Sequence, residues 1–475
     1  MALAETDKPM KIAIIGGGFC GILTAINLLR DREQRLHIHI VNKEYDVAKG
    51  VAYDPHTARL LLNVPNKGMS AFPDIPDHFL QWLIEQEPGQ LAAKDKLAHE
   101  FSTRKKYGEY LGQLWRDELD KQGYNKRVSI YKDNALDIIE TGDQLQVRLS
   151  NYPDIVADVV VLATGNDQPN FTSGLNASLK NSDLYFGDPW KKECVENLGA
   201  KNDILIIGNG LTMVDTVLGL ADNGCKQVIH TISPHGYRLK PWQEDKEPYD
   251  TSILGDDTRL IDLVKTINKH RKIADRLDQS IYPVVDFLRP KIQSVWLTFN
   301  EQEKQQFITK LSSFWDRIRH RLPSQMHNFI TDMCAKGDLV THKGYIVSTV
   351  NTDDGLQVTI NSDGNLKTLN IQRIINCTGP DTDITRSGNE LLSNLAKKGL
   401  ICPGPFNLGI NTCPDGSVIT ANEQHRHNLF VIGNNLKGVL WESSAVPELR
   451  VQAQKLAKRI LVAADKEKLR IPEPV

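Results

Sequence analysis

Apolar and polar positions change period along this chain, and the changes divide it. Lys11–Ile15 (KIAII) is a short apolar run rich in β-branched residues, which predicts a buried strand. Gly16-Gly17-Gly18-Phe19-Cys20-Gly21 follows at once, and the next residues, ILTAINLLR, are apolar at helical spacing. The order strand, glycine-rich turn, helix recurs from Asp203: DILII, then Gly208-Asn209-Gly210, then a helix from Leu211. A third strand–glycine–helix unit stands near the C-terminus, at HNLFVIGNN and the helical residues after it. Further strands are predicted at LHIHIVN, QVIHTI, Val159–Gly165 (VVVLATG) and Arg373–Gly379 (RIINCTG). Between Trp242 and Gly337 strand signals vanish. Amphipathic helices replace them, such as IDLVKTINKHRKIADRL and EQEKQQFITKLSSFWDRIRHRL, punctuated by Pro290 and Pro323. The pattern predicts an α/β protein with two Rossmann-like dinucleotide-binding domains and a helical insertion. The expected boundaries are 1–170 with 380–475 for the first domain and 171–241 with 338–379 for the second. The insertion, 242–337, lies in the second.

The flanking pattern gives the glycines their meaning. Gly16 allows the tight turn, Gly18 lets the backbone approach a pyrophosphate, and Gly21 lets the helix pack on the strand. The helix N-terminus, with Phe19 and Cys20 in its first turn, then offers free N–H groups to phosphate. This is the expected FAD site. An acid at the end of the second strand would bind ribose hydroxyls, and the chain offers Asn42 and Glu44. The loop that follows nominates Asn63, Val64, Pro65 and Met69 as flavin neighbours. Thr164-Gly165 and Thr378-Gly379 end strands where the chain is expected to cross between domains, and small residues there admit a cofactor. Gly433 and Asn434 are expected flavin contacts, and Trp441 in the same loop is a weak catalytic candidate.

In the second turn Gly208, Asn209, Gly210, Leu211 and Thr212 are the expected nicotinamide-cofactor contacts, with Met213 where a third glycine would stand. The strand after it ends at Ser233 with no acid, followed by His235, Arg238 and Lys240. A hydroxyl among cations, Ser233 with Arg238 above all, points to NADPH without excluding NADH.

Composition narrows the function. The chain has 475 residues, 40% hydrophobic and 24% charged, with a net charge of -2 and no basic stripe, so no nucleic-acid partner is expected. No apolar run approaches the ~20 residues that span a bilayer, and the N-terminus carries no secretory pattern, so a cytoplasmic location with no membrane partner is expected. The seven cysteines include no C-x-x-C pair, which predicts no metal site and argues against disulfide reduction. No G-x-S-x-G elbow is present. Arg319, His320 and Arg321, in a cation-dense helix end, are weak candidates for gripping an anionic substrate or a cofactor phosphate.

The segments GGGFCG, GVAYDPHTARLLLNVPNKGMSAFPDIPDHFLQWL, FSTRKKYGEYL and GNGLTMVD resemble a bacterial family of FAD/NAD(P)-binding proteins. That family, akin to class B flavin monooxygenases, includes FAD-dependent urate hydroxylase and L-aspartate N-monooxygenase. The resemblance implies FAD and NADPH as cofactors, molecular oxygen as co-substrate, and hydroxylation of a nitrogen or carbon of a small molecule through a C4a-peroxyflavin. The chain departs from the family at Asn42, where an acid is usual, and after the second-site strand, where a paired-arginine segment is usual. It also lacks the long F-x-G-x-x-x-H signature of Baeyer–Villiger enzymes, having only Phe186-Gly187-Asp188-Pro189-Trp190. An NAD(P)H oxidase or reductase, and a nucleotide-binding redox sensor, are the alternatives. Substrate identity and oligomeric state are not legible.

Overall fold

The computed structural model describes residues 8–31, 35–44, 46–54, 57–121, 124–199, 201–242, 259–276 and 280–468. Residues 243–258 and 277–279 of the expected insertion, and residues 1–7 of the N-terminal segment, lie outside them. The chain forms two compact units: Met1–Asp54, Val64–Asp167 and Thr382–Val475 make the first, and Pro55–Asn63 with Gln168–Asp381 the second.

In the first unit the strand Met10–Ile15 lies mid-sheet because its last four residues are buried on both faces. It pairs in parallel with Leu36–Asn42 on one side (Ile12 opposite Ile38) and Val159–Leu162 on the other (Ile12 opposite Val159). The full order is Ser417–Ile419, His425–Val431, Val159–Leu162, Met10–Ile15, Leu36–Asn42, Val128–Lys132, with only the first edge strand antiparallel. The chain order reverses between Met10–Ile15 and Val159–Leu162. In open α/β sheets the crevice at the C-terminal ends of two such strands is where ligands bind.

The helix Phe19–Leu29 covers one face and is buried along nearly its whole length. Its polar members turn inward on the backbone, Thr24 Oγ1 donating to Cys20 O (2.8 Å) and Asn27 Nδ2 to Leu23 O (2.7 Å). The C-terminal helix Val446–Lys468 packs along it. The other face is closed by a small antiparallel sheet of Ala135–Thr141, Gln144–Leu149 and Ile155–Ala157 and by the helix Glu390–Lys397. Leu145, Val147 and Leu395 meet Ala13 and Val160 there.

The second unit repeats the plan. Its sheet runs Gly355–Ser362, Leu339–Thr352, Ile229–Ser233, Asp203–Ile207, Asn365–Asn376, Tyr185–Phe186. The four inner pairings are parallel, and Gly355–Ser362 closes antiparallel on the outer halves of both long strands. Alternation along Asp203–Ile207 serves two cores. Ile204 and Ile206 face the helices Leu211–Asp222 and Ser324–Lys336, while Leu205 and Ile207 face the meander residues Val358 and Ile360. Between Leu260 and Lys336 the described residues are helical apart from short connections and Arg321–Leu322, which pairs in parallel with Lys240–Pro241. Among the described residues no helix is long and apolar enough to cross a membrane.

Candidate dinucleotide-binding sites

The two glycine turns share one hydrogen-bond frame. In the first, Gly16 N–H donates to Val41 O (2.8 Å) and Ala163 N–H to Ile15 O (2.9 Å). In the second, Gly208 N–H donates to Ile232 O (2.8 Å) and Cys377 N–H to Ile207 O (2.8 Å). Gly16 and Gly208 sit at φ +110° and +109°, a region that favours glycine. A Cβ would stand 2.2 Å from Ala163 O at Gly16 and 2.4 Å from Cys377 O at Gly208. The frame therefore equates Gly16–Gly21 with Gly208–Met213, Asn42 with Ser233, and Ala163-Thr164-Gly165 with Cys377-Thr378-Gly379.

Within this frame the glycines divide by what demands them. Gly21 is demanded by packing, because a Cβ would lie 2.0 Å from Gly16 O. Met213, in the matching position, is buried in the core of the second unit with Ile206 and Cys377. Gly18 and Gly210 are demanded by nothing in the protein. A Cβ at Gly18 would meet only Gly50 Cα at 3.8 Å, and one at Gly210 would meet nothing within 4 Å. Both have negative φ, the helices that follow have no side-chain cap, and neither first turn carries an acid. The first N–H groups of Phe19–Leu29 (Phe19, Cys20) and of Leu211–Asp222 (Leu211, Thr212) are thus left for an anion.

Around the first turn, Asn42 is a clasp: its Oδ1 accepts from Gly17 N–H (3.0 Å) and its Nδ2 donates to Glu44 O (2.7 Å). Glu44 forms an exposed ion pair with Lys132 at 2.7 Å. Ala48, at φ +88°, donates its N–H to Gly17 O (2.7 Å), so the loop after the second strand lies on the turn. Gly433, at φ +89°, is also brought to this turn, for a Cβ there would lie 3.3 Å from Cys20 Sγ. Asn434 opens the single turn Asn434–Leu436 beside it. Asn435 Nδ2 donates to Thr164 Oγ1 (3.0 Å), and Gly165 takes φ +75°. Phe19 contributes its ring to an aromatic cluster with Tyr53 and Tyr107. Val64, Pro65 and Met69 are buried in the first unit, whereas Asn63 belongs to the second, where its carbonyl accepts from Trp242 Nε1 (3.1 Å). Burial pushes the Cys20 thiol up to about 12.

Around the second turn, Asn209 has both side-chain amide atoms buried without a hydrogen-bond partner. Ser233 Oγ accepts from Gly236 N–H (3.1 Å), shaping the turn that carries His235, Tyr237 and Arg238. Thr378 Oγ1 donates to Asn376 Oδ1 (2.7 Å), and Gly379 takes φ +92°. The rings of His235 and Tyr237 stack at 5.2 Å, and the Arg317 guanidinium lies 4.0 Å over the Tyr237 ring. Arg317 and Tyr237 were not singled out by sequence. Arg317 belongs to the cation-dense run, but nothing in its spacing ties it to a tyrosine so far upstream.

The remaining candidates are placed elsewhere. Arg321 is buried, bonded to Asp286 and stacked 3.4 Å over Trp242 and 4.7 Å over Tyr282, so it holds the insertion together. Arg319 is buried with Nη1 2.7 Å from His320 Nε2. Trp441 is buried in the first unit with Lys437 Nζ 5.1 Å over its ring. Among the described residues no cluster of metal-ligating side chains is found, and all seven cysteines are free.

Residues 13–167 match a protein-family model described as FAD-NAD(P)-binding. A comparison of the sequence with curated proteins finds no match. Solved structures share the fold along nearly the whole chain. Ornithine hydroxylase from Pseudomonas aeruginosa is similar at 14% identity and a TM-score of 0.65, over 95% of this chain and 99% of that one. Ornithine N-hydroxylase from Kutzneria sp. 744, solved with reduced FAD, NADP+ and L-ornithine, is similar at 16% identity and 0.62, over 97% and 100%. Bacillithiol disulfide reductase from Staphylococcus aureus is similar at 13% identity and 0.55, over 96% and 99%.

Proposed function

We propose that this protein is a FAD-dependent, NADPH-using monooxygenase that hydroxylates a small amine, such as an amino acid, at nitrogen with molecular oxygen. One observation carries the reading: two dinucleotide turns in one hydrogen-bond frame on one chain, each with a glycine (Gly18, Gly210) that the protein itself does not need. A bare Cα and free N–H groups are what a pyrophosphate requires. Gly18, Phe19 and Cys20 would hold the FAD pyrophosphate, with the loop at Ala48–Gly50 and Gly433-Asn434 closing on it. Gly210, Leu211 and Thr212 would hold that of NADPH. FAD, when bound, supplies the hydride acceptance and oxygen activation that side chains cannot. The chain's own task is then to position and desolvate, which accords with two cofactor turns and no G-x-S-x-G elbow in the sequence. The ornithine hydroxylases that share the fold over nearly their whole length support amine nitrogen as the target.

Disulfide reduction, the chemistry named for the bacillithiol enzyme, has less support, because the sequence holds no C-x-x-C pair. Burial pushes the thiols of Cys20, Cys194 and Cys377 up to about 12, so those three stay protonated and poorly nucleophilic at neutral pH.

The test is oxygen uptake by the FAD-loaded protein with NADPH and a panel of ornithine, lysine, short diamines, aspartate and urate, with products read by mass. One amine should accelerate uptake and emerge with one added oxygen atom and a hydroxylamine reaction. Hydrogen peroxide equal to the NADPH consumed, whatever amine is present, would instead make the protein an oxidase.

A further inference from the structure

We infer that Arg317, carried on the helix Ser312–Arg319 of the insertion, reads the 2′-phosphate of NADPH, and that Tyr237 is the positioning residue that holds it there. The inference rests on Gly208–Gly210 being the nicotinamide-dinucleotide turn.

In a Rossmann unit the ribose next to adenine sits beyond the end of the second strand. An acid there selects the free hydroxyls of NAD, and an arginine nearby accommodates the 2′-phosphate. In this unit that strand ends at Ser233, whose hydroxyl is used by Gly236 N–H. The next residues, Pro234 to Lys240, contain no acid and three basic or imidazole groups, His235, Arg238 and Lys240. Gly236 sits at φ +60° with its missing Cβ 2.9 Å from Lys343 Cβ, which brings a further cation to the turn. Lys343 itself meets Asp363 at 3.9 Å. His235, Arg238, Lys240 and Arg317 have no ion pair among the described residues.

Arg317 arrives by a non-local route. The two-residue ladder pairs Lys240 with Arg321 and Pro241 with Leu322, and Trp242 N–H donates to Leu322 O (2.8 Å). That ladder pins the C-terminal turn of Ser312–Arg319 against the turn after Ser233. The guanidinium then lies 4.0 Å over Tyr237 and 4.9 Å from the Phe314 ring, and Tyr237 stacks on His235. Stacking on a ring leaves the in-plane N–H groups of a guanidinium free, which is the geometry for bidentate phosphate recognition. A set of like charges around an exposed turn repels itself until an anion fills it. A dianionic phosphate on the adenosine ribose is the anion this position is built to meet.

The test uses the full-length FAD-loaded protein and calorimetry with two probes, adenosine 2′,5′-bisphosphate and 5′-AMP. The native protein should prefer the bisphosphate. Arg317→Ala should erase about ten- to a hundredfold of that preference while leaving AMP binding and the melting temperature unchanged. Tyr237→Phe, which keeps the ring, should behave as native, and Tyr237→Leu should lose part of the preference. Equal binding of both probes by the native protein would overturn the inference, as would an Arg317→Ala variant that keeps its preference. Reduction of the flavin by NADPH separates the two readings. If Arg317 governs the probes but neither nicotinamide reduces the flavin, the proposed function falls and this inference stands. If NADPH reduces the flavin and Arg317→Ala changes nothing, the reverse holds.

Discussion

Glycines that look alike in sequence answer to different forces, and single substitutions separate them. At Gly21 a methyl group would overlap the Gly16 carbonyl at 2.0 Å, and that atom is backbone, so it cannot yield cheaply. Gly21→Ala should destabilise the apoprotein by roughly 1–3 kcal/mol, as overpacking does, and lose flavin with it. At Gly18 the same methyl group would meet only Gly50 Cα at 3.8 Å, and φ there is −77°, which alanine adopts freely. Gly18→Ala should leave apoprotein stability within about 0.5 kcal/mol of native and still abolish FAD binding. Urea unfolding of the two apoproteins, with flavin absorbance after reconstitution, reads both effects. A Gly18→Ala protein that binds FAD normally would sink the assignment of this turn to a pyrophosphate. Gly210→Ala is the matching change in the second unit, where stability and flavin content should persist and reduction by NADPH should fail.

Elements are held in place by residues whose importance the local pattern does not reveal. Arg373, on the inner strand Asn365–Asn376, is buried and donates Nη1 to the carbonyls of Glu193, Cys194 and Glu196 and Nη2 to that of Asn197, at 2.8–3.0 Å. Its guanidinium also lies 5.2 Å over Phe186. One side chain thus ties the connection before Asp203–Ile207 to the sheet that presents the second turn. Arg373→Met should cost about 2–4 kcal/mol, since four carbonyls lose a charged donor. The loss should appear in unfolding of the second unit, with FAD binding retained, and a variant as stable as native would refute this role. From the sequence Arg373 is only the polar start of RIINCTG. The strands and turns themselves were legible because their signals are local: KIAII before Gly16 and DILII before Gly208 state their period and their breaker within a few residues. Asn42 was legible as a strand end but not as the clasp of the Gly17 N–H, because that bond spans 25 positions. The meeting of Arg317 with Tyr237 depends on a two-residue ladder between distant segments, which no periodicity announces. The same limit applies to Arg321, whose cluster of charge looked like a ligand grip and whose neighbours are Asp286, Trp242 and Tyr282.

At the scale of the whole molecule, one plan is used twice, and each copy carries a histidine on its sheet, half-buried in the first and buried in the second. In the first unit His39 bonds through Nδ1 to Tyr131 Oη at 3.1 Å, and burial, then His37 and Lys11, lower its pKa to about 4. In the second, His342 Nε2 lies 3.1 Å from His230 Nδ1, and burial, then His230 and Lys367, lower it to about 4 as well. An unfolded histidine titrates near 6.5. Between about 4 and 6.5 the unfolded chain therefore binds more protons than the folded one at both positions, and stability must rise with pH there. The contribution is fully present above about 6.5, is lost progressively as pH falls towards about 4, and changes no further below that. Asp133 acts in a lower window. The N–H groups of Asn134, Asn151 and Tyr152 donate to its carboxylate and hold its pKa below the ordinary value, so its share is lost only as pH falls through the carboxylate range. Urea midpoints measured from pH 7.5 to 4.5 should accordingly decline in both units together, before the carboxylates titrate. His342→Asn should make that decline shallower in the second unit alone, and His39→Asn in the first alone, with the remainder carried by His270 in the second and by His37 and His78 in the first. A midpoint that stays level down to pH 5 in the native protein would show that these imidazoles are not held neutral by the fold.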